Sequence, residues 1–231
     1  MEIKGTCEDN FLEVKELFKS LHESDREVGS SFSVYKDGLP LIDIWGGFKN
    51  LDETEIWNRD TLATVWSTTK GIAAITIAYA FEKGLIDYEE KVSKYWPEFG
   101  CNGKEDITVG MLLSHQAGIC GSKTNNAEDY YSQSTMANEL ANMKPIWEPG
   151  TASGYHSMTY GWLTSELIIR VTGKTLGEYF REEIGDPNEI DFHIGLPESE
   201  EDRVAEMIPF PKENNQVSAK LNKAQMASGS G

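Results

Sequence analysis

Residues 68–83 (TTKGIAAITIAYAFEK) place alanine, isoleucine and tyrosine around nearly the whole circumference of a helix. A helix of that kind has no polar stripe to offer water, so it is expected to be buried on most sides and to need other layers around it. Gly84 is well placed to end it. Its longest apolar run, GIAAITIAYAF (71–81), is too short to span a bilayer, which takes about 20 apolar residues. The segment is therefore expected to be the core helix of a globular domain.

The elements that could cover it are unevenly distributed. Residues 10–22 carry Phe11, Leu12, Val14, Leu17, Phe18 and Leu21 close to one helical face. Residues 31–36 alternate, Asp37-Gly38 marks a turn, and LPLIDIW (39–45) follows, which predicts a β-hairpin ended by Gly46-Gly47. Short helices are expected at 88–95 and 107–115, the second N-capped by Thr108. A longer, more polar helix is expected at 127–143, a loop at WEPGT (147–151), and helices at 158–172 and 175–184. One pair of strands is marginal alone, and LIDIW is expected to present an unpaired apolar edge. From Pro197 the pattern fades into an acidic, proline-broken stretch ending in KAQMASGSG, which has the composition of a flexible tail. The expected organisation is one domain over 1–197 followed by a tail segment over 198–231.

Composition narrows the function classes. The chain has 231 residues and a net charge of −17. That field repels nucleic acid and anionic lipid, and no basic stripe offsets it, so neither is expected as a partner. Cys7, Cys101 and Cys120 form no C-x-x-C pair and fit a reducing compartment. The first residues lack the apolar core of a signal peptide, so a cytoplasmic protein is expected. The histidines lack metal-site spacing, so no metal is implied. V-T-G-K-T (171–175) lacks the earlier glycine of a phosphate loop.

The chemistry-bearing residues cluster in two places. Ser67-Thr68-Thr69-Lys70 opens the apolar helix, and residues three apart on a helix share a face. A serine hydroxyl is a weak nucleophile and needs a base nearby. Burial and the positive helix N-terminus both disfavour a protonated lysine there, which would make a neutral amine accessible. The same N-terminus offers the Ser67 N–H to a developing oxyanion. Alone, S-x-x-K is a weak pattern, met far more often by an N-cap serine and a solvated first-turn lysine; the all-round apolar helix that follows, which would bury the lysine, is what favours the catalytic reading. The second cluster, Tyr155-His156-Ser157, lies between a P-G loop and a helix. A phenol there can face a cleft and relay a proton.

V-W-S-T-T-K-G-I, then M-L-L-S-H-Q-A-G-I (111–119), then W-E-P-G-T-A-S-G-Y-H-S (147–157) occur in that order. This series resembles the serine β-lactamase and penicillin-binding-protein superfamily, in its class C β-lactamase and family VIII carboxylesterase branch. The resemblance runs from about Ser31 to at least Pro197. It implies an α/β (α+β) fold of the β-lactamase/transpeptidase type, with a helical region packed on an antiparallel sheet. It implies Ser67 as the acylated nucleophile, Lys70 as the activating amine and Tyr155 as base and acid, with Ser157 and His156 lining the substrate site. Ser157 stands where β-lactamases usually carry Asn, as in esterase-like members. The family's third motif, K-T-G, H-x-G or W-x-G on a later strand, has no counterpart after Tyr155. Lys174-Thr175-Leu176 fails at its third position, Trp45-Gly46-Gly47 precedes the nucleophile, and His115 is expected to be a helix-end or packing histidine. The C-terminal strands are thus expected to be missing.

The expected function is a serine hydrolase acting on small-molecule esters or amides through a Ser67 acyl-enzyme. A carboxylesterase with weak β-lactam turnover, needing no cofactor, fits first. A D-Ala-D-Ala peptidase is disfavoured by the same lack of an export signal. The alternative is a degenerate, non-catalytic relative that binds a ligand or partner. Oligomeric state is not legible.

Overall fold

The computed structural model describes residues 1–24 and 26–209. It divides into two compact units, Met1–Thr64 with the chain from Glu198 onward, and Val65–Pro197.

The first unit holds an antiparallel sheet. Strands β1 (Lys4–Cys7), β2 (Gly29–Lys36) and β3 (Leu39–Gly47) lie in the order β1-β3-β2. The β2–β3 hairpin closes between Lys36 and Leu39. Asp37 and Gly38 both take positive φ, 51° and 79°, as a tight two-residue turn with the twist of its strands requires. Alternation along β3 sends Ile42 and Ile44 to one face, where they meet Phe18 of helix α1 (Leu12–Glu23). The expected unpaired edge of LIDIW is not found, because β3 is the central strand and β1 pairs along it. β1 is only KGTC, without apolar alternation. It can lie against β3 because Gly5 has no Cβ: one built there would stand 2.0 Å from the Asp43 carbonyl oxygen.

Residues after Pro197, expected to stand apart from the domain, return to this first unit. A short 3₁₀ segment, Glu198–Arg203, leads to a parallel bridge between Leu62 and Val204. The Ala205 N–H donates to Leu62 O at 2.8 Å, and the Leu62 N–H to Arg203 O at 2.9 Å. The tail expected beyond, KAQMASGSG, lies outside the described residues.

The second unit is helical: α2 (Thr69–Glu82), α3 (Val92–Tyr95), α4 (Val109–Leu113), α5 (Gln133–Asn142), α6 (Thr159–Thr172) and α7 (Leu176–Phe180). Its core gathers Ile77, Leu112, Leu140, Leu163 and Leu167, all fully buried. Each such side chain contributes about 1.5–3 kcal/mol relative to exposure. Thr108 caps α4 as expected, accepting the Met111 N–H at 3.1 Å. Gly173, with φ 74°, ends α6 in the left-handed C-cap that glycine favours. The helix expected over 175–184 stops at Phe180 and continues as a π turn, Arg181–Gly185. Among the described residues no helix is long and apolar enough to cross a membrane.

Two features of this unit depart from expectation. Helix α2 is not buried all round. Ala73, Thr76, Ile77 and Ala80 form its inner face, while Ile75 and Phe81 are exposed. Apolar composition permits burial on every side, but here packing supplies partners on one side only. The other feature is Lys104, which is completely buried. Its ammonium donates to Cys101 O at 2.8 Å and to Met143 O at 2.5 Å. Two carbonyls offset part of the cost of enclosing that charge. Burial still moves its pKa downward.

Candidate active site

The helical unit builds the candidate site by itself. A 3₁₀ turn, Trp66–Thr68, leads into α2, and Trp66 takes a positive φ of 48°. That backbone is costly for a bulky residue and tends to mark functional turns. It is followed directly by Ser67. One turn later, Lys70 comes round to the same face and its Nζ donates to Ser67 Oγ at 3.1 Å. The buried lysine expected from the apolar helix is instead half-buried, and Ser67 is exposed. The head of α2 stays open to water because its own apolar residues are covered only further along.

Tyr155 completes a trio. The Lys70 ammonium lies 5.0 Å from the centre of its ring. The phenol titrates below its ordinary value of 10.0. Hydrogen bonding to Ser67 is the largest cause, hydrogen bonding to Lys70 the next, and the Lys70 charge adds to both. Both partners thus ease ionisation of this phenol relative to an ordinary tyrosine. Tyr155 is itself 56% exposed, so the shift comes from its two partners and not from an enclosing pocket.

Contacts distant in sequence hold Tyr155 there. Its loop is fastened to the segment that leaves α4. The Gly154 N–H donates to His115 O at 3.1 Å, and the Gly150 N–H to Gln116 O at 3.1 Å. Ser153 Oγ donates to Ser114 O at 3.1 Å, and Thr159 Oγ1 to Ile119 O at 2.6 Å. The His156 N–H donates to His115 Nδ1 at 3.2 Å. His115, with φ 64°, follows the C-cap of α4. Its ring lies 5.1 Å from that of Tyr155 at 62°, an edge-to-face arrangement.

A serine–lysine pair at a helix head with a loop phenol beside it is a constellation that nucleophilic acyl transfer can use. The sequence profile of the β-lactamase family matches residues 14–231. The chain belongs to the β-lactamase family. It is 38% identical over 206 residues to the esterase/β-lactamase LipL of Mycobacterium tuberculosis, a match covering 88% of this chain and 48% of that protein. The crystal structure of a family VIII carboxylesterase superposes with a TM-score of 0.85 at 43% identity, covering 90% of this chain and 58% of that one. A penicillin-binding-protein homologue from Caulobacter crescentus gives a TM-score of 0.85 at 39% identity, covering 90% and 57%. The chain spans about half the length of the curated relatives it matches. The fold is of the β-lactamase/transpeptidase type, mixing helices with an antiparallel sheet.

Within this β-lactamase-family site, the remaining expected residues fall on either side of the loop. Ser157 is exposed, and its N–H donates to the Tyr155 carbonyl at 3.0 Å. His156 does not line an open site as expected. It is completely buried, and both ring nitrogens are engaged by backbone. Nδ1 meets Gly154 O at 2.7 Å, and Nε2 meets the Ile119 N–H at 3.2 Å. Those partners require a neutral ring with its proton on Nδ1. Burial holds its pKa low, consistent with that form.

Two residues matter to this geometry beyond those expected, Trp147, which sequence reasoning did not weigh, and His115, which it set aside. Trp147 lies across Gly154 so closely that a Cβ there would stand 2.4 Å from the indole. The Trp147 ring also meets His156 edge-on, 6.3 Å away. His115 is the other. It is a helix-end residue, as expected, but its contacts reach Tyr155, His156 and Tyr160 together. Only the order of the three motifs linked His115 with Tyr155 in sequence, because no local periodicity carries a contact between distant loops.

Proposed function

We propose that the protein is a serine hydrolase that acts on short-chain carboxylic esters through an acyl-enzyme on Ser67. The single observation carrying this reading is the meeting of Ser67 Oγ, Lys70 Nζ and the low-titrating Tyr155 phenol in one helical unit. In the proposed cycle, Ser67 Oγ attacks the ester carbonyl and gives its proton to the Tyr155 phenolate. Lys70, already donating to Ser67 Oγ, stabilises the negative charge that develops there. The Ser67 N–H is the oxyanion donor this chain contributes. Tyr155 then returns the proton to the departing alcohol, and later takes one from the water that hydrolyses the acyl group and passes it to the departing Ser67 Oγ, which restores the hydroxyl and the phenolate. Ser157, beside Tyr155 and open to solvent, is assigned to substrate contact. A seryl hydroxyl in place of the usual amide favours esters over β-lactams, which are expected to turn over weakly. Three free cysteines suit a reducing, cytoplasmic setting.

The exposure of Ser67 and Tyr155 favours a second reading, a degenerate relative that binds a ligand without turnover. Charge stabilisation weakens in a wet site. One experiment separates the two. The protein is treated with a fluorophosphonate probe, the labelled peptide is mapped, and p-nitrophenyl butyrate hydrolysis is measured alongside. Label on the Ser67 peptide, lost with hydrolysis in Ser67→Ala, supports the hydrolase. Equal hydrolysis in wild type and Ser67→Ala removes Ser67 from the reaction. No labelling and no hydrolysis favours the binding protein.

A further inference from the structure

We infer that His115 is a positioning residue for Tyr155, gripping the backbone on both sides of it so that the phenol stays within reach of Ser67 and Lys70. The inference rests on the reading of Tyr155 as the proton carrier, and it assigns the part of the molecule that keeps that carrier in place.

Four observations converge on His115. Its carbonyl accepts the Gly154 N–H at 3.1 Å, and its ring Nδ1 accepts the His156 N–H at 3.2 Å. One residue therefore holds both immediate neighbours of Tyr155. Its ring edge also meets the Tyr155 ring at 5.1 Å. The positive φ of 64° lets the carbonyl and the side chain engage the same stretch of loop. Such a backbone is uncommon for a residue other than glycine, and asparagine and histidine tolerate it better than most.

The grip works only with a neutral ring. An Nδ1 that accepts a hydrogen bond leaves the ring proton on Nε2. A second proton on Nδ1 would cancel the bond to His156 and set a new cation facing Lys70. The groups around the ring are Lys70 at the head of α2, Tyr155 and His156 on the loop, and Tyr160 on α6. Of these only Tyr155, in its phenolate form, would bring negative charge to the ring and favour its protonation, and Lys70 opposes it. Burial, followed by the Lys70 charge, lowers the pKa of His115 and keeps the grip closed. His156 repeats the device one layer deeper, with its neutral ring spanning Gly154 O and the Ile119 N–H.

The test compares His115→Phe, which keeps a ring and loses the acceptor, with His115→Asn. The asparagine carbonyl offers an acceptor near the position of Nδ1 and tolerates positive φ. Tyr155 is titrated by ultraviolet tyrosinate absorbance in each background, with the matching Tyr155→Phe protein subtracted. p-Nitrophenyl butyrate kinetics are recorded in parallel. In His115→Phe, Tyr155 is expected to titrate closer to an ordinary tyrosine. kcat is expected to fall about 10²-fold, the usual cost of misplacing a catalytic group by about 1 Å, with KM little changed. His115→Asn is expected to recover most of both. If Tyr155 titrates in His115→Phe as in wild type, the inference is overturned, whether or not the protein hydrolyses the ester. If wild type shows no Ser67-dependent hydrolysis, the proposed function fails, and the titration alone decides for or against His115.

Discussion

Ser67 and Lys70 belong to one turn at the head of α2 and meet through a single 3.1 Å hydrogen bond. Tyr155 reaches them from a loop that is tied, bond by bond, to the chain leaving α4. The first arrangement is local: once α2 forms, the i, i+3 spacing brings the pair together at little further cost in chain entropy. The second is tertiary: it exists only while the 114–119 segment and the 146–159 segment stay in register. The two halves of the site should therefore respond differently to substitution. Damage to the loop should disable the proton carrier while leaving the nucleophile–lysine pair in place.

The largest effect is expected from Tyr155→Phe. Losing a general acid–base group typically costs about 10²–10⁴-fold, and p-nitrophenyl butyrate turnover should fall within that range. The circular dichroism spectrum and melting temperature should hardly change, because Tyr155 is an exposed loop residue outside the core. Retained turnover would mean that the helix-head pair suffices alone and that the loop contributes no proton transfer.

A step down in size is Gly154→Ala. The added methyl would collide with Trp147, whose indole stands 2.4 Å from the new atom. Overpacking of this kind costs about 1–3 kcal/mol, so melting should shift to lower temperature. Displacement of the loop should also lower kcat by about 10²-fold. Combining Gly154→Ala with Trp147→Phe removes the colliding part of the ring and should recover much of both losses. If the single variant turns over like wild type, the register of the loop does not govern Tyr155.

The pH profile sharpens the comparison further. Hydrogen bonds from Ser67 and Lys70, and the Lys70 charge, lower the Tyr155 pKa from 10.0. A group acting as a base works in its deprotonated form, so kcat/KM should rise with pH through an apparent pKa below the ordinary tyrosine value. Lys70→Met removes two of the causes and leaves the Ser67 hydrogen bond, so the rising limb should move toward higher pH. The position of the limb is the informative quantity, because Lys70→Met lowers its height for other reasons as well. An unmoved limb would detach Tyr155 from the profile.

What the sequence disclosed follows the same division between local and tertiary. The Ser67–Lys70 pairing could be read from spacing, and the β2–β3 hairpin from Asp37-Gly38 between two apolar runs. Thr108 as a cap was legible because the cap chemistry lies within three residues. Tyr155 was visible as a loop tyrosine ahead of a helix, but only the order of motifs resembling a known family tied it to Ser67 and Lys70. β1 escaped notice because four residues with a central glycine carry no alternation, and its stability comes from β3. The exposed side of α2 was misjudged for a related reason. Apolar composition describes what a helix tolerates, and the elements available to pack on it decide which faces are covered. The grip of His115 was hidden because its partners, Gly154 and His156, are adjacent to it only in the folded protein. The buried ammonium of Lys104 was hidden likewise, since one of its two carbonyl partners, Met143, lies far along the chain.

The smallest expected effect serves as the control for all the others, because a loosened helical unit could mimic a misplaced tyrosine. Thr175 and Glu178 form a capping box at the start of α7. Thr175 Oγ1 accepts the Glu178 N–H at 3.2 Å, and Glu178 Oε2 accepts the Thr175 N–H at 2.8 Å. These bonds stay within the first turn of α7 and do not touch the 114–119 segment. Thr175→Ala should therefore lower the stability of the helical unit by about 1 kcal/mol, the typical value of a lost N-cap, as read from urea midpoints. The kcat and the Tyr155 titration should stay at their wild-type values. Suppose instead that kcat falls as far in Thr175→Ala as in Gly154→Ala. General loosening would then explain both, and the loop would lose its claim to hold the phenol specifically. Only an uncoupled result, with stability lost and turnover kept, leaves the 114–119 segment as the structure that holds Tyr155 in place.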